Sequence, residues 1–283
     1  MSLVQYGRAI KLSHSIFAMP FAIGAALLAS REAPLTALAF CLIVVCMVSA
    51  RSVAMGFNRI VDRDIDAVNP RTVDREIPAG KLSVRSAKGY VAGSALIFVG
   101  ACAMLNPLVL ALSPVALLIV CGYSLTKRFT ALCHIVLGVS LALAPTGAWL
   151  AIVGDYAVTP ALLSCAVASW VAGFDILYSC QDVAFDRSQG LRSIPVALGV
   201  RGAMWLSAGL HVVTVGCLAA LPSVTPLGTW YGLGCGLITG VLVYEHWIVR
   251  PNDLSRINKA FFDLNGYVSI VFLVFLGLDV LWG

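Results

Sequence analysis

Long apolar stretches separated by shorter polar segments make up almost the whole of this chain of 283 residues. Because an α-helix rises about 1.5 Å per residue, about 20 apolar residues are enough to cross the hydrocarbon core of a bilayer. The pattern therefore predicts an all-α, polytopic protein of the lipid bilayer that forms a single domain over residues 1–283. We expect nine transmembrane helices, at residues 13–30, 36–57, 87–105, 107–123, 132–152, 160–181, 202–221, 228–248 and 262–281.

The composition excludes a soluble globular protein, since 60% of the residues are hydrophobic and the mean hydropathy is +0.92. Most of the nine cysteines lie within apolar stretches and none forms a C-x-x-C pair, so we expect packing residues rather than disulfides or zinc ligands. The four histidines lack the H-x3-H and H-E-x-x-H spacings, which argues against a histidine metal site.

Basic residues mark one side of the predicted membrane topology. Arg31 is the only lysine or arginine in a segment that follows spans one, three, five, seven or nine, and the other eighteen lie on the opposite side. The positive-inside rule then predicts a cytoplasmic N-terminus and cytoplasmic loops after spans two, four, six and eight. The N-terminal segment carries Arg8 and Lys11 and leads into the first span without a small-residue cleavage site, so we expect no cleavable signal. The net charge of +5 reflects this topology and gives no reason to expect a nucleic-acid partner.

Two acidic clusters come where long apolar stretches end: Asn58-x3-Asp62-x3-Asp66 after the second stretch and Asp182-x3-Asp186 after the sixth. At about 100° per residue, steps of four keep these side chains on one face of a continuing helix. Carboxylates four residues apart lie about 6 Å from each other and repel unless cations lie between them. Mg²⁺ prefers hard oxygen ligands and bridges carboxylates to phosphate oxygens. The clusters therefore predict a site for one or two Mg²⁺ ions and a diphosphate.

Basic residues follow each cluster, with Arg71, Arg75 and Lys81 after the first and Arg192 after the second. Guanidinium groups bind phosphate oxygens through paired hydrogen bonds, so these residues suit a polyanion. The alternative interpretation is that the aspartates pair with the arginines next to them in sequence, in a solvated rim of the bundle.

The residues after the two clusters also correspond to each other. Arg75-Glu76-Ile77-Pro78 in the first loop matches Arg192-Ser193-Ile194-Pro195 in the second. This echo predicts two pseudo-repeated four-helix units followed by a ninth helix, with a shared site between the halves. The alternative is chance similarity between short polar loops.

Arg51 and Asp175 lie further inside spans two and six. A charge inside the membrane costs about 2.5 to 3.5 kcal/mol on insertion scales, so both side chains are expected to face the bundle interior. They form either a structural ion pair or part of a substrate site. A transporter or ion-coupled carrier that uses these two residues is the alternative function. Such a carrier predicts acidic residues near the bilayer midplane and broken helices, whereas the clusters lie at one interface.

The motifs resemble those of the UbiA superfamily of intramembrane aromatic prenyltransferases, and the resemblance covers essentially the whole chain. The first family motif, N-D-x-x-D-x-x-x-D, is similar to residues 58–66, and the second, D-x-x-x-D, is similar to residues 182–186. The tyrosine and basic pair of the family resemble Tyr123, Lys127 and Arg128. Arg59 replaces the acid that usually follows the motif asparagine, so metal ligation is not carried over to that position. A CDP-alcohol phosphotransferase is not expected, because its D-G-x-x-A-R opening is missing.

The resemblance implies Mg²⁺-dependent transfer of a polyprenyl group from a polyprenyl diphosphate to the ring of an aromatic acid. Further strings, among them Asn69-Pro70-Arg71-Thr72, are similar to a bacterial 4-hydroxybenzoate polyprenyltransferase subgroup that includes members of the futalosine route to menaquinone. The acceptor stays open between 4-hydroxybenzoate and a dihydroxynaphthoate. The implied setting is ubiquinone or menaquinone biosynthesis in the bacterial cytoplasmic (inner) membrane.

Site residues follow from this resemblance in four groups. The metal ligands are Asp62, Asp66, Asp182 and Asp186, with Asn58 in support. The diphosphate-binding residues are Asn58, Arg71, Arg75, Lys127, Arg128 and Arg192. The residues that contact the aromatic substrate are Arg51, Tyr123 and Tyr178, with Arg51 on the acceptor's carboxylate. The candidate for accepting the ring proton is Asp175, or else a phosphate oxygen.

Overall fold

The structure is a computed structural model that describes residues 17–283. Within this range the chain folds into α-helices with short 3-10 and π segments, and the described residues form no β-strand. The prediction of an all-α fold is therefore confirmed for this part of the chain. The predicted start of the first span, and the basic residues Arg8 and Lys11, lie outside the described residues.

The helices in chain order are α1 Met19–Ala29, α2 Ala37–Val61, α3 Arg63–Val68, α4 Val84–Leu105, α5 Pro107–Thr126, α6 Cys133–Val153, α7 Val158–Ser179, α8 Val183–Ser188, α9 Ile194–Ala220, α10 Thr229–Ile248, α11 Ile257–Lys259 and α12 Asn265–Trp282. The 3-10 turns are Cys180–Asp182 and Leu221–Ser223. A π-helical turn at Ala260–Leu264 joins α11 to α12.

Seven helical segments among residues 17–283 are long and apolar enough to cross a membrane. They are Ala37–Val61, Val84–Leu105, Pro107–Thr126, Cys133–Val153, Val158–Ser188, Ile194–Ser223 and Ile257–Trp282. The other two predicted spans correspond to α1, with 11 residues, and to α10, whose last turn carries Glu245 and His246. The number of nine transmembrane helices therefore stays a prediction, as does their division into two four-helix units and a ninth helix.

Local chemistry sets several helix ends. The side chains of Thr36, Ser83 and Asn106 each accept a hydrogen bond from a backbone N–H in the first turn of α2, α4 and α5. Such caps satisfy donors that a helix start leaves without an internal partner. Helix α6 ends at Gly154, whose φ of +76° lies in the left-handed region that glycine adopts without strain. These ends keep the connections between neighbouring helices short.

Helix α7 forms the centre of the bundle. Leu163, Val167 and Trp170 are fully buried, and the helix packs between α6 and α9. At the crossing with α6, a methyl group added to Gly138 would collide with the carbonyl oxygen of Ala168. Small residues at such crossings let two helices approach closely. The start of α6 and the end of α7 are thereby held side by side.

Helices α2 and α7 are each followed by a motif aspartate with non-helical backbone angles and then by a short helix. Asp62 has φ −91° and ψ 1° and separates α2 from the six-residue α3. Asp182 has φ −97° and ψ 2° and stands directly before the six-residue α8. The continuous helix assumed for the first motif is therefore interrupted, although the N–H of Asp66 still bonds the carbonyl of Asp62 at 2.7 Å. The break at Asp62 changes the direction of the chain between α2 and α3, while Asp62 and Asp66 stay four residues apart.

Candidate active site

The two acidic motifs line one small polar cavity of about 180 Å³, where α2 and α7 end. Its acidic and amide residues are Asn58, Asp62, Asp66, Asn69, Asp182 and Asp186. Its basic residues are Arg71, Arg75 and Lys127. The fold thus brings residues from both motifs, and from the loops around them, to a common space.

A larger cavity of about 560 Å³ adjoins this polar space inside the bundle. Five residues line both cavities: Asn58, Asp62, Lys127, Asp182 and Asp186. Beyond them the wall is mainly apolar, and it includes Leu105 and Leu150 near the far ends of α4 and α6. The protein therefore contains two adjoining spaces, a charged mouth and a larger, mainly apolar body, which share these five residues.

Asp62 is almost fully buried, and its carboxylate is surrounded by donors. Lys127 Nζ lies 2.8 Å from Oδ2, and Arg128 Nη2 lies 2.8 Å from Oδ1. Asn58 Nδ2 also donates to Oδ2, at 2.9 Å. A carboxylate removed from water needs such partners, because its desolvation is otherwise very unfavourable. The end of α5 is thereby fixed against the end of α2.

Arg75 and Arg71 hold the next two motif aspartates. Arg75 Nη1 lies 2.7 and 2.8 Å from the two carboxylate oxygens of Asp66. Arg71 donates from Nε to Oδ1 of Asp182 at 3.0 Å and from Nη2 to Oδ2 at 2.6 Å. Burial lowers the pKa of Arg71, but the hydrogen bonds and charge of Asp182 outweigh it, so that this pKa is raised above its ordinary value.

The alternative expectation, that the aspartates pair with arginines adjacent in sequence, is wrong for Asp62 and Asp182. Their partners lie 65, 66 and 111 positions away in the chain. An adjacent arginine, Arg63, instead pairs with the exposed Asp64 at 3.3 Å. The charged mouth is therefore formed by segments that lie far apart in the sequence, and not by ion pairs between neighbouring residues.

Three of the other predicted residues lie around the large cavity. Arg51 and Tyr123 line it directly. Tyr178 packs against the cavity-lining Phe261 with ring centroids 4.1 Å apart and the rings tilted by 34°, and its hydroxyl accepts a hydrogen bond from Arg71 at 3.0 Å. The predicted contacts with an aromatic substrate thus lie next to the mouth on its apolar side.

Arg192 takes a position away from the motif carboxylates. Its Nη1 donates to the carbonyl oxygen of Phe129 at 2.8 Å, and its backbone N–H donates to the carbonyl oxygen of Lys127 at 2.8 Å. Arg192 lines neither of the two cavities described above. These bonds join the loop before α9 to the segment after α5 and so support Lys127 from behind.

His134 is a cavity residue that the sequence reasoning missed. Its Nδ1 lies 2.6 Å from Oδ2 of Asp175, and its Nε2 lies 3.4 Å from Oγ of Ser179. All three side chains line the large cavity. Asp175 therefore pairs with His134 on α6, and the ion pair between Arg51 and Asp175 considered from the sequence is not the one formed. The signal was an ionisable residue at the start of one apolar stretch and another near the end of the next.

The donor set of the polar cavity fits Mg²⁺. Four carboxylates and the two carboxamides of Asn58 and Asn69 line the same space, and all six groups carry hard oxygen atoms. Mg²⁺ binds such ligands in an octahedron that water and phosphate oxygens complete. Lysine and arginine groups hold three of the four carboxylates, so a metal ion would have to displace these cations to reach the carboxylate oxygens. Residues 17–283 include no cluster of three or more His, Cys, Asp or Glu side chains in the geometry of a metal site.

The fold and the site define a multi-pass membrane protein in which a charged mouth adjoins an apolar intramembrane cavity. The UbiA prenyltransferase family matches residues 17–273, and the chain belongs to this family. Membership agrees with the resemblance of the two acidic motifs.

Curated relatives of similar length carry one name. The chain is 30% identical over 229 residues to the 4-hydroxybenzoate octaprenyltransferase of Thiobacillus denitrificans, covering 81% of this chain and 78% of that protein. It is 30% identical over 232 residues to the protein of the same name from Aromatoleum aromaticum, covering 81% of this chain and 77% of the relative.

Solved structures share the fold. The apo structure of a UbiA homolog from Aeropyrum pernix K1 is similar with a TM-score of 0.87 and 35% identity, covering 94% of this chain and 98% of that one. A UbiA homolog from Archaeoglobus fulgidus, bound to GPP and Mg²⁺, is similar with a TM-score of 0.73 and 20% identity, covering 98% and 99%. The second likeness supports the fold alone.

Proposed function

We propose that the protein transfers a polyprenyl group from a polyprenyl diphosphate to the ring of an aromatic acid, with Mg²⁺ as its cofactor. The observation that carries this proposal is the wall shared by the two cavities, because five charged or polar residues belong to both. A molecule with a diphosphate head and a long hydrocarbon tail matches a charged mouth that adjoins an apolar body. The names of the relatives from Thiobacillus and Aromatoleum support an aromatic acceptor.

The motif carboxylates have the role of metal ligands in this proposal. Asp62, Asp66, Asp182 and Asp186 hold Mg²⁺, and Asn58 supports them. When bound, Mg²⁺ neutralises charge on the diphosphate and so favours its departure. Basic side chains now donate hydrogen bonds to the aspartates. When a diphosphate binds, they would donate to its phosphate oxygens instead, because carboxylate and phosphate accept the same hydrogen bonds. These side chains are Arg71, Arg75, Lys127 and Arg128, whereas Arg192, expected from the sequence to bind the diphosphate, supports Lys127 from behind.

The acceptor lies one step deeper in the cavity. Arg51 comes seven residues before Asn58 on α2, which places it about 10 Å along the helix from the mouth. We assign the acceptor's carboxylate to Arg51 and its ring to contacts with Tyr123 and Tyr178. Asp175 serves in the uptake of the ring proton. The apolar wall keeps water from the allylic cation, which would otherwise be hydrolysed.

The acceptor we assign is 4-hydroxybenzoate, with a dihydroxynaphthoate as the second candidate of the same chemical class. Both would place the enzyme in quinone biosynthesis, of ubiquinone or menaquinone. The distribution of basic residues supports a bacterial cytoplasmic membrane with the mouth on the cytoplasmic side, where a diphosphate made in the cytosol can enter.

Incubation of the purified protein in detergent with a labelled prenyl diphosphate, Mg²⁺ and a panel of aromatic acids tests the proposal. We expect a prenylated ring product that disappears when a chelator removes divalent metal. Proteoliposomes loaded with the same compounds separate this from a carrier, which would move a substrate across the membrane and leave it unchanged. Transport without product from any acceptor would overturn the proposed function.

A further inference from the structure

We propose that His134 removes the proton from the acceptor ring, with Asp175 as the residue that orients it. This inference rests on the proposed transferase function and adds a residue that neither acidic motif contains. It also gives Asp175 a positioning role through His134.

The contacts of His134 leave one ring nitrogen suited to act as a base. Oδ2 of Asp175 lies 2.6 Å from Nδ1, and an ionised carboxylate only accepts hydrogen bonds, so Nδ1 carries the hydrogen. In the neutral imidazole Nε2 then has a lone pair. The nearby hydroxyl of Ser179 lies 3.4 Å from Nε2 and donates its own hydrogen to the carbonyl oxygen of Ile176 at 2.8 Å. Nε2 is therefore not engaged by a strong donor from Ser179.

The pair lies in the part of the cavity where the acceptor must bind. His134, Asp175 and Ser179 line the large apolar cavity but are not part of the wall of the polar mouth. Asp175 comes seven residues before Asp182, which corresponds to about 10 Å along α7 and the 3-10 turn that follows it. Arg51 comes seven residues before Asn58 on α2 and lines the same cavity. An aromatic acid bound between these side chains and the mouth would have one ring carbon next to the first carbon of the prenyl donor.

The chemistry balances without a further reactant. The C–O bond of the prenyl diphosphate breaks and its electron pair leaves with the diphosphate. A ring carbon of the acceptor then supplies an electron pair to the new C–C bond. The proton on that ring carbon passes to Nε2 of His134, and the electrons of the C–H bond restore the aromatic ring. The carboxylate of Asp175 stabilises the imidazolium that results, as in other carboxylate–imidazole pairs.

Close packing holds this geometry in place. His134 lies in the first turn of α6, and Asp175 lies near the end of α7, so the pair joins two helices. Four residues after His134, Gly138 meets the backbone of α7 at Ala168 with no room for a side chain. A base must be held within hydrogen-bond reach of the proton it removes, which close contact between α6 and α7 provides.

The test compares His134→Gln with His246→Gln. Glutamine at 134 keeps a donor for Asp175 but cannot act as a base, whereas His246 is partly buried, contacts His211 and lines neither cavity. We expect His134→Gln to lower turnover about 10²- to 10⁴-fold. Binding of the prenyl diphosphate should stay within about twofold, because the mouth is unchanged. Asp175→Asn should lower turnover in the same direction, and His246→Gln should leave it near that of the wild type.

An acceptor deuterated at the ring position that is prenylated gives a kinetic isotope effect. A purely structural role of His134 would leave this isotope effect unchanged. The ratio of rates with protiated and deuterated acceptor should increase in His134→Gln, because proton removal then limits turnover. An unchanged ratio with wild-type turnover would overturn the role of His134 while leaving the transferase intact. Loss of donor binding in His134→Gln would also overturn it, since that result assigns His134 to structure. Absence of product from the wild-type enzyme would instead reject the proposed function itself.

Discussion

Arg71 donates two hydrogen bonds to Asp182, which lies 111 positions later in the chain, and so ties the loop after the first acidic motif to the second motif. The same guanidinium donates to the hydroxyl of Tyr178 at 3.0 Å and lies 5.2 Å from the centre of its ring. Carboxylate and phosphate offer similar oxygen pairs to a guanidinium fork. Arg71 is therefore placed to hold either Asp182 or a phosphate group at the mouth.

Replacement of Arg71 by lysine should weaken the contact of residue 71 with Asp182, and with the phosphate group that would take the place of Asp182. Lysine keeps the positive charge but lacks the planar fork, so we expect kcat/KM for the prenyl diphosphate to fall about 10- to 100-fold. Steady-state kinetics at saturating acceptor measure the change. Arg63→Lys is the matched control, because Arg63 pairs with the exposed Asp64. Equal losses in the two variants would contradict a specific role for Arg71.

Asp62→Asn should abolish most of the Mg²⁺-dependent turnover. The substitution removes a negative charge that Lys127 and Arg128 both contact at 2.8 Å. We expect a loss of at least about 100-fold and a higher Mg²⁺ requirement, measured by titrating the metal. Asp64→Asn is the control from the same motif, because 84% of its side chain is exposed and it lines neither cavity. Wild-type turnover in Asp62→Asn would remove Asp62 from the proposed metal site.

Helical positions and motif residues could be predicted from the sequence because their signals are local. Apolar length placed the helices, and charge at the ends of α2 and α7 marked Asp62 and Asp182. The breaks at these aspartates were not predicted, since the residue spacing alone contains no signal for a change in backbone angles at Asp62 or Asp182. A spacing rule also assumes that a helix continues, and both motifs show that it does not.

Long-range pairing could not be read from the sequence. Arg71 reaches Asp182 only because the loop after α3 crosses the mouth. His134 meets Asp175 only because α6 and α7 pack closely where Gly138 lies. Such contacts depend on how two helices are placed relative to each other. The hydrophobic periodicity of a single helix carries no information about that placement.

Gly138→Ala should push α6 away from α7. The added methyl group would collide with the backbone carbonyl of Ala168, which cannot rotate aside as a side chain does. Overpacking of this kind destabilises proteins by about 1–3 kcal/mol, so we expect a lower midpoint of thermal unfolding in detergent. Gly147→Ala on the same helix is the control, because nothing lies within 4 Å of its added methyl group. A midpoint lowered equally by both variants would contradict the close crossing at Gly138.

Asn265→Ala should destabilise the second half of the bundle. The Asn265 side chain accepts a hydrogen bond from Trp170 at 2.7 Å and donates to Glu245 at 2.9 Å and to the carbonyl of Ala260 at 3.0 Å. Loss of these contacts leaves buried polar groups unsatisfied, so we expect about 1–3 kcal/mol of destabilisation.

Thermal unfolding of the purified protein measures the effect of Asn265→Ala. Thr239→Ala on α10 is its control, since the Thr239 hydroxyl donates to the carbonyl of Cys235 within the same helix at 2.8 Å. A midpoint shift no larger than that of the control would show that Asn265 does not join these helices energetically.

The adjoining polar and apolar cavities would also release the two products of the proposed transfer into different phases. The diphosphate would leave through the mouth into water, whereas the prenylated acid keeps its carboxylate but gains a hydrocarbon tail that partitions into lipid. The reverse reaction would require both molecules to return at once, one from the cytosol and one from the bilayer. A space that is polar at one end and apolar along its length would therefore slow the reverse reaction by keeping its two reactants in different phases.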